Sequence, residues 1–171
     1  PGATRYTLAG ETVVGELRGG TSARVERFVG ALSESGLYAS ASSDIASVEW
    51  SKFVGWSGIS AAAVLTRLPT NVFLRDPDSA RLAARIMRET ASLAARMGVR
   101  VEDVGTLLAH TVTEGSEDAA VAALQAAGER LKVSAPDLRQ SILQDADRGR
   151  RLEVDETLGA CLLYTSPSPR D

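Results

Sequence analysis

Of the 19 basic residues in the sequence only Lys52 and Lys132 are lysines. Lys52 lies in an apolar, small-residue stretch, Trp50-Ser51-Lys52-Phe53-Val54-Gly55-Trp56-Ser57-Gly58-Ile59. The residue type matters, because an ammonium can give up its proton where a guanidinium cannot. Partial desolvation lowers a lysine pKa towards neutrality and makes it a usable general acid. The same residue suits a second role, a stem that covers apolar surface while its head reaches water. Trp56 and Ser60 follow at i+4 and i+8 on the same helix face, so whatever Lys52 faces they face as well. For an aromatic at that spacing core packing is the ordinary role. A second group combines Ser141 and Asp145, an i, i+4 pair, with Arg148, Arg150, Arg151, Glu153 and Asp155 around a turn at Gly149. Taken alone, it reads as a solvated charged face. Lys132 and Glu89 read as surface residues, and His110 as structural.

Composition removes several kinds of chemistry. The net charge of −3 and a pI near 5.3 give no basic field for a phosphate backbone, so no nucleic-acid partner is expected. One cysteine, Cys161, and one histidine, His110, leave no disulfide framework, no cysteine-rich or histidine-based metal site and no Ser-His triad. No apolar run approaches the ~18 residues of a membrane span. The opening Pro1-Gly2-Ala3-Thr4-Arg5 has no signal-peptide pattern, so a soluble, cytoplasmic protein with no membrane partner is expected. Proline in first place points to sequence missing upstream.

The elements that must position these residues fall into two parts. Tyr6, Leu8, Val13 and Val14 form two β-prone stretches around Ala9-Gly10-Glu11, a hairpin or a pair of edge strands. Thr21-Ser22 can cap a helix carrying Val25, Phe28, Val29 and Leu32 at i, i+3, i+4 and i+7, with Gly36 as its stop. A short strand is expected at 37–41. Beyond residue 43 the pattern is helical: a long helix at 44–67 ended by Pro69 and Asn71, another from 78 to Gly98, then shorter ones at 101–112, 116–131 and 136–147, and a last one opening near Glu153. Pro136 suits a first helical turn, where its missing N–H has no partner to lose. The expected class is mainly α, the end of an α/β domain in residues 1–43 followed by an all-α domain in 44–160. Residues 161–171, Cys-Leu-Leu-Tyr-Thr-Ser-Pro-Ser-Pro-Arg-Asp, break with the composition before them and resemble the translation of a transposase-type sequencing adapter, so they are expected to be an artefact.

An ordered set of short stretches carries a family resemblance. They are Thr12-Val13-Val14-Gly15-Glu16, Ser43-Asp44-Ile45 leading to Trp50-Ser51-Lys52-Phe53, Thr66-Arg67, and Glu89 upstream of Gly98-Val99. Ser141-Ile142-Leu143-Gln144-Asp145, Gly149-Arg150, Glu153-Val154-Asp155 and Gly159 complete it. Together they resemble the later half of the ketopantoate reductase (2-dehydropantoate 2-reductase) family, over essentially all of residues 1–160. The resemblance implies an NADPH-dependent two-domain enzyme of pantothenate biosynthesis, with a Rossmann domain and a helical domain resembling that of 6-phosphogluconate dehydrogenase. The sequence has no G-x-G-x-x-G, which suits a fragment lacking most of its nucleotide-binding half and therefore inactive by itself. By the same resemblance Lys52 is the catalytic lysine, Ser141 binds substrate and Glu153 contacts the cofactor. Where the best-known members carry asparagines four and eight residues after the lysine, this chain has Trp56 and Ser60 at the substrate-binding positions, so the identity of the 2-oxo acid is left open. The expected partner is a small-molecule 2-oxo acid, and a homodimer is an open option. A related β-hydroxyacid dehydrogenase and a non-catalytic helical interaction module are the alternatives; a glycine-rich strand-turn-helix upstream would favour an enzyme.

Overall fold

The computed structural model describes residues 10–165, so Tyr6 and Leu8 of the expected first strand, and 166–171 of the tail, lie outside the described residues. The chain divides into two units, Pro1–Glu49 and Trp50–Asp171.

In the first unit, strand β1 (Thr12–Gly15) and strand β2 (Ala39–Ser42) pair in parallel, from Thr12 opposite Ala39 to Gly15 opposite Ser42. Parallel neighbours need a crossover rather than a tight turn. Helix α1 (Ala23–Glu34) provides it, so β1 belongs to a βαβ unit, and its described partner is not a hairpin arm. Ser22 caps α1 by accepting from the Val25 amide at 3.4 Å. Glu16, just after β1, pairs with Arg24 and accepts from the Ser22 hydroxyl. Gly36 ends the helix in the left-handed region at φ +85°, with the Leu37 amide donating to Leu32 O at 3.1 Å. Gly15 is needed for a different reason: a Cβ there would lie 2.6 Å from the Ile45 Cβ and 2.7 Å from Ser42 O.

Helix α2 (Ile45–Thr66) starts in the first unit and runs on through the second. Asp44 caps it by accepting from the Ser47 amide at 3.1 Å. The second unit continues with α3 (Thr70–Arg75), α4 (Pro77–Arg96), α5 (Ala109–Thr113), α6 (Glu117–Ser134), α7 (Ser141–Asp147), a π-helical turn (Asp155–Gly159) and α8 (Ala160–Thr165). The fold is mainly α, as the pattern of the sequence implies. Val54, Phe73, Met87, Val112 and Leu143 are all but sealed from solvent, and buried alanines of α4 fill the space among them. No described helix is long and apolar enough to cross a membrane.

Three expectations fail locally. A helix at 101–112 shrinks to α5, because Val104 and Leu107 exchange backbone hydrogen bonds around Gly105 at φ +58°, and the Asp103 carboxylate accepts from the Thr111 amide at 3.0 Å. Pro136 does not open a helix. The Thr70 amide takes Leu138 O at 2.8 Å, which holds the chain off until Ser141. Asn71 does not open a loop: α2 ends at Thr66, before Pro69, as expected, but Pro69 then precedes α3, a further helix whose Thr70, Asn71, Phe73 and Leu74 are buried.

Candidate functional site

On α2 the buried side is closed by small polar residues. Ser51 is fully buried and accepts from the Glu102 amide at 2.7 Å, while the Ser57 hydroxyl donates to Val54 O at 2.8 Å and lies 3.1 Å from Thr90 Oγ1. Gly55 and Gly58 remove bulk where Leu107, Ala83 and Met87 press in. With that face anchored, Lys52 is left exposed, and its ammonium has no hydrogen-bond or ion-pair partner among the described residues. Beside it the Trp56 ring is half-buried and stacked on Phe53, with centroids 6.0 Å apart and planes 18° apart. Phe53 meets Trp50 edge-on at 5.9 Å and 81°. Phe53 was no candidate from the sequence, although its i, i+3 spacing to Trp56 could have revealed the stack. Ser60, further along the same stripe, is 0% exposed and its hydroxyl has no hydrogen-bond partner among the described residues. Lys52 and Trp56 therefore reach the surface and Ser60 does not.

Ser141 is the first residue of α7 and is exposed, while the next two residues, Ile142 and Leu143, are buried and fix the helix to the core. The chain then turns at Gly149, φ +65°. Arg150 binds Asp145 at 3.0 Å and Arg151 pairs with Glu156. Both arginines are thereby engaged by other carboxylates, and Glu153, exposed between them and the π-helical turn, has no ion-pair partner among the described residues. It borders a cavity of about 270 Å³ with Arg151, Leu152, Glu156 and Thr157. Lys52, Ser141 and Glu153 stand on three separate segments, and no hydrogen bond or ion pair joins them to one another.

A larger cavity, about 690 Å³, lies between α4, residues 99–103 and α5, and includes His110. None of the candidate residues lines it. Its Arg88 is committed to structure, donating to the carbonyls of Val112, Gly115 and Ser116 at 2.9, 3.1 and 2.9 Å. Shifted carboxylates are likewise structural. Hydrogen bonding from Arg85 holds Glu117, and from Arg75 holds Glu129, below the usual carboxylate range.

A βαβ unit that runs through one long helix into an all-α unit is the plan of a helical domain following an α/β domain. The sequence profile of the ketopantoate reductase PanE/ApbA C-terminal family matches residues 44–164, most of the chain. The chain belongs to the ketopantoate reductase family. It is 29% identical over 161 residues to the 2-dehydropantoate 2-reductase of Halobacterium salinarum, covering 94% of this chain and 46% of that protein. The 2-dehydropantoate 2-reductase of Archaeoglobus fulgidus is 29% identical over 155 residues, 91% of this chain and 46% of its own length. The chain thus spans less than half the length of these relatives. The fold is shared with a 2-dehydropantoate 2-reductase from Methylococcus capsulatus (TM-score 0.65, 22% identity, 88% of this chain and 42% of that one). A PanE/ApbA family ketopantoate reductase from Ralstonia eutropha JMP134 gives TM-score 0.66 at 21% identity, with 96% and 49% covered.

Proposed function

We propose that the chain carries the helical domain of an NADPH-dependent 2-dehydropantoate 2-reductase, which reduces a 2-oxo acid to the 2-hydroxy acid in pantothenate biosynthesis, in the cytoplasm. Residues 1–43 are then the end of its Rossmann-type domain, 44–160 the helical domain and 161–171 an adapter-encoded extension; a homodimer is compatible with this reading. The observation that carries it is the state of Lys52. In a chain that otherwise prefers arginine, a lysine stands exposed beside an aromatic ledge, with no carboxylate among the described residues to neutralise it.

When bound, the nicotinamide supplies a hydride to C2 of the substrate. As charge builds on the C2 oxygen, the Lys52 ammonium donates a hydrogen bond to it and then transfers its proton, which an arginine could not do. Ser141 offers a hydroxyl, donor and acceptor at once, to the substrate carboxylate or hydroxyl. Glu153 is acceptor-only and has no cation partner among the described residues, so it fits ribose hydroxyls or amide donors of the cofactor. The pyrophosphate needs a glycine-rich cradle that these residues do not supply. Trp56 borders the substrate; a substrate contact for Ser60 requires the core to open around it.

The test is Lys52→Arg in the enzyme complete with its nucleotide-binding half. The charge is kept and the transferable proton lost, so kcat should fall ~10² to 10⁴-fold while NADPH affinity holds. Glu153→Gln should show the opposite split, weakening NADPH binding first. A Lys52→Arg enzyme within a few-fold of the parent at saturating substrate would return Lys52 to a surface-covering role and remove the mechanism.

A further inference from the structure

We infer that the substrate's side chain lies against an aromatic wall, the ring of Trp56, and that the enzyme reduces 2-oxo acids with bulky apolar side chains about as readily as hydroxylated 2-dehydropantoate. The inference rests on the reading of Lys52 as the proton donor. A substrate whose C2 oxygen meets the Lys52 ammonium must lay its carbon skeleton near the residue one helical turn away, whose Cβ is only ~5–6 Å from that of Lys52. That residue is Trp56. Its ring is stacked on Phe53 at 6.0 Å, and Phe53 is in turn met edge-on by Trp50 at 5.9 Å. A ring buttressed in this way presents a fixed apolar surface. The indole contributes one N–H donor and no acceptor.

No other residue of that stripe offers a fixed partner for a substrate hydroxyl. The Ser60 hydroxyl is sealed at 0% exposure, and Ser51 and Ser57 face the core, engaged by the Glu102 amide and by Val54 O and Thr90. Ser141, exposed on α7, is left for the carboxylate that every substrate of this class carries. The consequence for selectivity is large. A site built to hydrogen-bond a substrate hydroxyl rejects the analogue lacking it by ~10⁴-fold or more, whereas an apolar surface separates the two by ~10² at most.

The experiment compares kcat/KM of the full-length enzyme, by loss of NADPH absorbance, for 2-dehydropantoate, trimethylpyruvate (the same skeleton without the hydroxyl) and phenylpyruvate. The expected result is turnover of all three, with 2-dehydropantoate favoured over trimethylpyruvate by less than about tenfold. Trp56→Asn should move that ratio towards the hydroxylated acid, and Trp56→Phe, which keeps a ring, should leave it near the parent value. A parent preference for 2-dehydropantoate above about tenfold, or a ratio indifferent to Trp56→Asn, overturns the inference and assigns Ser141 to the hydroxyl instead. If Trp56→Asn does not fold, the parent ratio decides. Failure to reduce any of the three acids refutes the reductase reading itself, an outcome distinct from reduction with the wrong preference.

Discussion

Replacing Gly58 by alanine tests whether the close crossing of α2 over α4 fixes the helix that carries Lys52. A Cβ at Gly58 would fall 2.4 Å from Ala83 O and 2.5 Å from Met87 Cγ. Neither neighbour can yield easily, since Ala83 O is backbone inside α4 and Met87 is 1% exposed. Helix propensity alone favours alanine by ~1 kcal/mol. Overpacking a tight core costs ~1–3 kcal/mol, and a backbone contact this short belongs at the upper end. The net expectation is a loss of ~1–2 kcal/mol, read as a melting point several degrees lower. Gly30, in the middle of α1, is the control, because a Cβ there meets nothing within 4 Å. Gly30→Ala should stabilise the first unit by ~0.5–1 kcal/mol. Urea titrations followed by circular dichroism would measure both, with tryptophan fluorescence reporting the second unit alone, since Trp50 and Trp56 both lie there. A Gly58→Ala chain as stable as the parent would refute the claim that this crossing leaves no room for a methyl group.

Acid should weaken the second unit through its caps and ion pairs. Hydrogen bonds from the Ser79 backbone and then its side chain hold Asp76 below the ordinary 3.8, so its stabilising effect is complete above that value and lost as pH falls through the lowered one. Asp76→Asn, which can still cap without titrating, should flatten the acid limb of the melting-temperature profile; an unchanged limb contradicts the assignment. In the first unit Glu16, lowered from 4.5 to about 2 by Arg24 and Ser22, acts over the window between those values, and Glu16→Gln should abolish that part of the profile. Cys161 is half-buried, and burial, then the charge of Glu89, push its thiol up; Leu162 and Leu163 are 58% and 81% exposed. Deleting 161–171 should therefore lower the melting point by no more than the few degrees that correspond to ~1 kcal/mol, and a larger drop would make the segment part of the fold. The 171-residue chain alone should bind NADPH weakly, lacking the pyrophosphate cradle, and micromolar binding by calorimetry would contradict this.

Where one local signal decided the backbone, that signal was readable. Ser22, Asp44 and Ser116 carry the cap oxygens of α1, α2 and α6, and Gly36 and Gly98 adopt the left-handed stops their positions suggest. Errors arose where a distant partner outbid local preference. One miss is local instead: Asp78-Ser79 look like the start of α4, but its cap is Asp76, whose carboxylate reaches the Ser79 amide while Pro77 fills the first turn. Residues 135–140 look helical locally but give Leu138 O to α3, a helix with no amphipathic run long enough to be seen. Parallel pairing of β1 with β2 is likewise a long-range choice, invisible in two four-residue strands.

The candidate site divides along the same line. Scarcity of lysine and its apolar flanks single out Lys52 without any structure, and the arginine-rich turn singles out the segment holding Glu153. What the sequence leaves unresolved is which groups remain free, because availability depends on every neighbour at once. Arg150 and Arg151 might each have neutralised Glu153; the turn at Gly149 gives them to Asp145 and Glu156 instead. Trp56 and Ser60 share a spacing rule with Lys52, yet α2 sinks into the core along that stripe, so the first stays at the surface and the second is sealed. With Ser60 sealed at 0% exposure, a substrate placed at Lys52 as proposed would meet the Trp56 ring, where a longer exposed stripe would have offered a hydroxyl.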